Sequence, residues 1–291
     1  MISEERLRLP SIPLTTRVLR SGTGPPVLLL HGSPDSASEW RPVMEALGPG
    51  VACVAPDLPG LGACEEPPPS FDYSRAACEG FLDELLRTLG IDRPVVLVVH
   101  DIGGVMGIPW AARNRGRVQG VVITNTVIFE RFRWFGVGKL WGRNDSLGRA
   151  MAAAMMWQIG WLRGRIFGRA FGRISPELRA SDLQRMVLEF ACDPKSKRST
   201  LRLFRRMIRP AYFDGVDAMV RTLVEHVPVR VVWGQGDPYI PARYANAFPG
   251  VDAETLPAAG HWVPLSAPER VAAAVHSVIG SSGTTAIAGA S

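Results

Sequence analysis

Cysteine is scarce in this chain, four residues in 291. Cys53, Cys64, Cys78 and Cys192 show neither the paired spacing of a zinc site nor that of a redox dithiol. A chain of this length buries enough core to fold without disulfide staples, so the thiols are expected reduced and the location cytoplasmic. No positively charged start followed by an apolar stretch precedes Pro10, which argues against a signal peptide. The longest central apolar run, Ala150 to Leu162, is interrupted by Gln158 and falls short of the roughly 20 residues that span a bilayer. Dinucleotide fingerprints and metal-ligand spacings are missing too, so no cofactor and no metal are expected.

What is present is the composition of an ordinary globular protein, 46% hydrophobic and 21% charged. The net charge of +6 is unevenly spread. Between Glu130 and Arg173 run nine basic residues, opposed only by Glu130 and Asp145. Arg165, Arg169 and Arg173 recur every fourth residue and form one stripe on a helix. A solvated helix face is the plain reading. Weak membrane-surface contact is the other, because Trp157, Trp161 and Phe167 are interleaved. No nucleic-acid-binding module accompanies the charge, and nucleic acid is not expected as a partner.

Short apolar runs alternate with helical patterns. Val27–Leu30, Val51–Ala55, Val95–Val99, Val121–Thr124 and Val229–Trp233 read as buried strands, and Ala253–Leu256 as a strand-like run. Glu39–Leu47, Ser74–Leu89 and Gly104–Arg113 read as helices, the second closed by Gly90. Ser266-Ala267-Pro268-Glu269 reads as a capping box opening a helix over Glu269–Ile279. The alternation implies an α/β fold, a mostly parallel sheet with helices on both faces. From Ile128 to Glu225 the strands stop and the pattern turns helical and rich in Arg, Met and Trp. The expected division is a first core part over 1–127, a helical cap over 128–225, a second core part over 226–280 and a disordered Gly/Ser/Ala/Thr-rich tail over 281–291.

The most informative stretch is Val99-His100-Asp101-Ile102-Gly103-Gly104. A buried strand meets a tight turn and a helix starts almost at once, the geometry of a nucleophile elbow with Asp101 at its point. A carboxylate nucleophile suits alkyl carbons. Its attack on an epoxide or carbon–halogen carbon gives an ester that water cleaves, whereas attack on an acyl carbon gives a reactive anhydride.

Such a nucleophile needs a base, an acid that orients the base, and oxyanion donors. Of five histidines, His31 and His100 flank turns and read as local hydrogen-bonding residues. His226 ends the cap and His276 lies within the last helix. His261, in the small-residue loop Ala258-Ala259-Gly260-His261-Trp262, is free to reach the strand ends and is the candidate base. Asp237, in the turn Gly234-Gln235-Gly236-Asp237-Pro238, is the candidate acid; Asn125, at the rival strand end, carries no charge. The backbone N–H groups of Ser33, in His31-Gly32-Ser33-Pro34, and of Ile102 are the candidate oxyanion donors.

Together these residues resemble the α/β-hydrolase superfamily, in the branch that contains epoxide hydrolases and haloalkane dehalogenases. The likeness runs from about Val18 to Ile279 and includes Ala55-Pro56-Asp57-Leu58-Pro59-Gly60-Leu61-Gly62. It implies Asp101 as nucleophile, Asp237 as acid and His261 as base. Haloalkane dehalogenases usually place Trp after the nucleophile to hold the halide, and many place Asn in the first turn; here stand Ile102 and Ser33. The Arg that haloacetate dehalogenases carry after the nucleophile is also absent. Epoxide hydrolases usually use two cap tyrosines to hold the epoxide oxygen, and here the cap holds only Tyr212. Trp134, Trp141 or Trp157 would supply the second donor and line the site. Val99, where epoxide hydrolases usually have Gly, leans toward dehalogenases.

The expectation is therefore a hydrolase that opens a hydrophobic epoxide to a vicinal diol, its partners a small-molecule substrate and water. Hydrolysis of a carbon–halogen bond is the alternative. A ligand-binding or non-hydrolytic role is the reading from another class, since fold alone does not settle function.

Overall fold

In the computed structural model, which describes residues 1–134, 136–150 and 160–287, eight strands form one sheet. They are β1 (Ser3–Leu9), β2 (Leu14–Ser21), β3 (Pro26–Leu30), β4 (Ala52–Pro56), β5 (Val95–Asp101), β6 (Val118–Thr126), β7 (Val229–Gly234) and β8 (Ala253–Leu256). Their order across the sheet is β1-β2-β4-β3-β5-β6-β7-β8. From β4 to β8 neighbours are parallel, while β1 and β2 are antiparallel to each other and β2 to β4.

The central strands β3, β5 and β6 are largely apolar on both sides because both faces are covered. Val95, Leu97 and Val99 of β5 point into one core, and Val96 and Val98 into the other. The first core packs against helices α2 (Arg75–Thr88) and α3 (Ile102–Arg113) through residues such as Phe81, Leu85, Val105 and Ile108. The second packs against α1 (Arg41–Leu47) and the last helix (Pro268–Ile287) through Val43, Leu47, Val271, Val275 and Val278. Parallel strands with helical crossovers bring the ends of β3, β5, β7 and β8 to one rim, where loops carry the chemistry.

Between β6 and β7 the described chain is helical. It contains α4 (Gly136–Gly142), α5 (Gly160–Ile174), α6 (Ala180–Met186), α7 (Pro194–Met207) and α8 (Val216–His226), with a π-helical stretch at Val187–Ala191. Charged contacts fix this segment to the core. Arg185 pairs with buried Asp35, Ser36 Oγ donates to Glu189 Oε2 at 2.5 Å, and Lys195 Nζ reaches the carbonyls of Gly62 and Cys64 at 2.7 Å each. Arg165, Arg169 and Arg173 are exposed. Phe167, in contrast, stacks on Phe171 with ring centroids 4.4 Å apart.

Two expectations are corrected and one element is new. The β1–β2 hairpin was not expected, because its alternation of charged and apolar residues over Ser3–Leu9 is that of an exposed edge. The capping box does not form. Ser266 ends the short helix α9 (Val263–Ser266) with its hydroxyl on the Trp262 carbonyl at 2.9 Å, and the final helix, α10, begins at Pro268. That helix runs past Ile279 to Ile287, so the first part of the segment expected to be disordered is helical; residues 288–291 lie outside the described residues.

Candidate active site

Asp101 is the last residue of β5 and sits at φ +47°, ψ −120°. A side chain is rarely held at positive φ, and strain of this kind collects at functional sites. The neighbouring glycines make the turn possible. A Cβ on Gly103 would lie 2.2 Å from the Leu30 carbonyl oxygen, and one on Gly104 2.2 Å from Thr126 Oγ1. Thr126 Oγ1 locks the elbow by donating to the Asp101 carbonyl at 2.6 Å.

The turn after β3 faces this carboxylate. Ser33 N–H donates to Asp101 Oδ2 at 2.9 Å. Ile102 opens α3, so its N–H belongs to the first helical turn, which has no intrahelical acceptor and carries the positive end of the helix dipole. Both expected donor N–H groups thus lie beside Asp101. His31 makes a local bond, Nδ1–H to the neighbouring Gly32 carbonyl at 2.7 Å, and its Nε2 accepts from the distant Leu58 N–H at 2.9 Å. Asp57, buried completely, accepts Arg17 Nε at 2.8 Å and the N–H groups of Ala37 and Ala63 at 2.7 and 2.8 Å, which fixes the loops around that turn.

His261 and Asp237 come together as expected. His261 Nδ1 lies 2.8 Å from Asp237 Oδ2, and Asp237 Oδ1 accepts the N–H groups of Tyr239 and Ile240 at 2.7 and 2.9 Å. Burial alone would raise the Asp237 carboxyl, but His261 and these donors hold it below the ordinary carboxylate value. With Nδ1 facing the Asp237 carboxylate, Nε2 is the other ring nitrogen of His261.

Three further residues support this pair. Asn125, set aside in the sequence for lack of charge, donates Nδ2–H to Asp237 Oδ2 at 2.6 Å and accepts Gly234 N–H at 2.9 Å. Glu177, from the helical segment, accepts His261 N–H at 3.1 Å, and nothing in its sequence surroundings marks it. His100 is not local at all. Its Nδ1 lies 3.1 and 3.2 Å from the two oxygens of Glu39, and its Nε2 lies 3.0 Å from the carbonyl of His261. Burial would lower the His100 ring, but the Glu39 carboxylate outweighs it and pushes the ring up to about 9. A usable signal existed: an ionisable ring at the end of a fully buried apolar strand requires a partner.

Of the cap residues expected at the site, Tyr212, Trp134 and Trp141 lie among the described residues. Tyr212 is buried beside Cys78 of α2, and its hydroxyl finds no hydrogen-bond partner among the described residues. Trp134 packs edge-on against Phe132 and Phe204, and Trp141 against Phe204. No hydrogen bond or ring stacking between these three residues and Asp101 or His261 is seen among the described residues, and Trp157 lies outside them.

A family model described as the alpha/beta hydrolase family matches residues 27–274. The chain belongs to that family. Among curated relatives, the chain is 38% identical over 112 residues to a cis-3-alkyl-4-alkyloxetan-2-one decarboxylase from Xanthomonas campestris pv. campestris, covering 36% of this chain and 37% of that protein. It is 42% identical over 111 residues to a haloalkane dehalogenase from Sphingobium indicum, covering 36% of each. The matched stretch thus spans little more than a third of the length of these relatives. Among solved structures, the epoxide hydrolase CorEH superimposes with a TM-score of 0.78 at 22% identity, over 96% of this chain and 99% of that one. Among the described residues no helix is long and apolar enough to cross a membrane.

Proposed function

We propose that this hydrolase opens an epoxide through a covalent ester on Asp101. The observation that carries the reading is the Asp101 carboxylate, set on a strained backbone under the Ser33 N–H, with a His261–Asp237 pair at the same rim. Asp101 Oδ attacks one epoxide carbon, the C–O bond breaks, and the oxygen leaves as an alkoxide that takes a proton. His261 Nε2 then removes a proton from water, and the hydroxide adds to the ester carbonyl. The resulting oxyanion is held by Ser33 and Ile102 N–H. Collapse expels the second alkoxide, which takes the proton back from His261; Asp101, left as the carboxylic acid, returns its proton to the hydroxyl that protonated the first alkoxide, and a vicinal diol leaves.

Ser33 Oγ, a buried hydroxyl without a partner among the described residues in the turn that faces Asp101, is the proposed proton donor to the opening ring. The helical segment 128–225 is proposed as the cap that excludes water and shapes an apolar pocket, with Trp134, Trp141 and Trp157 in its lining. Alkyl-halide hydrolysis uses the same nucleophile and base. Ile102 weakens that alternative, because its side chain offers no N–H to a departing halide.

The 38% identity to the oxetanone decarboxylase favours one non-hydrolytic reading. Asp101 could displace the ring carboxylate of a four-membered lactone from its alkyl carbon. Loss of CO2 would then form a C=C bond and expel the Asp101 carboxylate, with no water consumed. Product analysis separates the readings. Diol from an aryl or alkyl epoxide supports the proposal, halide release from a bromoalkane supports the alternative, and alkene with CO2 from a β-lactone supports the third. Saturable binding with no product from any of them would overturn all three.

A further inference from the structure

Glu39 and His100 form a fully buried ionisable pair that the reaction above does not use. Glu39 lies in the helical turn Ala37–Trp40, a few residues beyond the oxyanion loop, and His100 directly precedes Asp101. The two ring nitrogens of His100 face different segments. Nε2 faces the His261 carbonyl at 3.0 Å, and a carbonyl only accepts, so Nε2 carries a proton. Nδ1 faces both Glu39 oxygens, and a second proton lies between them. The His100 ring also lies against the His261 ring, with centroids 4.7 Å apart.

A buried ion pair of this kind adds little net stability over an apolar replacement, because desolvation offsets the attraction. What it does add here is a fixed link. Three segments far apart in sequence meet at one imidazole: the loop after β3, the end of β5 and the loop that carries the base. Asp35, His31 and Asp101 also face the pair, and Arg185 reaches toward Glu39.

We infer that Glu39 and His100 are a positioning pair, in which His100 Nε2–H holds the His261 main chain so that the base stands over the ester on Asp101. The inference rests on the reading of Asp101 as nucleophile and His261 as base. His100 itself touches no reacting atom. It acts through the base loop, and Glu39 fixes the ring that does so.

Two variants separate the two ends of the ring. In His100→Asn the amide falls near Nδ1, keeping Glu39 and releasing His261; in His100→Gln it falls near Nε2, keeping His261 and releasing Glu39. His100→Gln is made together with Glu39→Gln, so that no carboxylate is left buried alone. Formation and breakdown of the ester are followed by rapid quench and intact mass with an epoxide probe. The low-field proton resonance of His261 Nδ1–H is recorded on the same proteins without substrate.

The inference expects His100→Asn to form the ester but to hydrolyse it about tenfold more slowly or worse, part of the roughly 10²–10⁴-fold a placed base contributes. The His261 resonance should broaden in the same variant. The His100→Gln/Glu39→Gln protein should recover most of both. If His100→Asn keeps ester breakdown and the resonance, the inference is overturned. Equal loss in both variants, together with a lowered Tm, overturns it as well, since that marks packing and not a link to His261. If no protein forms an ester, the reading of Asp101 fails, and the resonance alone decides whether His100 places His261.

Discussion

Asn125 and His261 share one acceptor: both donate to Oδ2 of Asp237, at 2.6 and 2.8 Å. The acid is therefore held from the end of β6 as well as from its own turn. Its second oxygen is saturated by the N–H groups of Tyr239 and Ile240, so the carboxylate has one orientation.

Asn125→Ala should leave Asp237 Oδ2 and the Gly234 N–H short of a partner, at a cost of about 1–3 kcal/mol for a buried unsatisfied group. Turnover should fall on the order of tenfold or more, since a loosened acid lets the imidazole tilt. Chemical denaturation and steady-state kinetics on the same variant check this. An unchanged kcat with lowered stability would confine Asn125 to a folding role.

The stability contributed by Asp237 has a defined pH window. Its folded-state value lies below the ordinary 3.8 because of His261 and its donors. A lowered carboxylate stabilises the fold above its unfolded value, and that contribution is lost as pH falls through the lower folded one. The gap in denaturation midpoint between wild type and Asp237→Asn should thus be full above about pH 4 and close as the solution becomes more acid. A gap that persists in strong acid would contradict the assignment.

Glu177 and Gly260 form a second link, between the helical segment and the base loop. A Cβ on Gly260 would lie 2.2 Å from Glu177 Oε1, the far end of a side chain that can move away. Gly260→Ala should therefore expel the Glu177 carboxylate from the His261 N–H and act much as Glu177→Ala does. The double variant should be no worse than either single one, because both remove the same contact. Additive losses in kcat would show that the two residues act separately.

Three thiols should be inert. Burial pushes Cys53 and Cys64 up to about 11 and Cys78 up to about 12, while Cys192 is partly exposed. Iodoacetamide at pH 8 on the native protein should label Cys192 and leave the other three unmodified until denaturant is added. Peptide mapping after labelling reads this directly.

Much of the arrangement was legible in the sequence because it depends on short-range rules. The apolar runs of β3, β5 and β7 and the Asp101-Ile102-Gly103-Gly104 turn are dictated by pattern and by backbone sterics. Asp237 and His261 were legible because each follows a strand that ends at the same rim. The contacts of Glu39, Asn125 and Glu177 were not, since hydrogen bonds between segments tens of residues apart leave no local spacing. Tyr212 shows the opposite limit. Its position in the chain suits a cap donor, yet its side chain is buried beside Cys78 on α2.

The most direct test of the central claim is intact-protein mass spectrometry of His261→Gln after exposure to a hydrophobic epoxide. Without its base the enzyme should stall at the ester. The account predicts a gain equal to the whole epoxide, mapped to Asp101 and lost in Asp101→Asn. No adduct on a folded variant shown to bind the epoxide would contradict it.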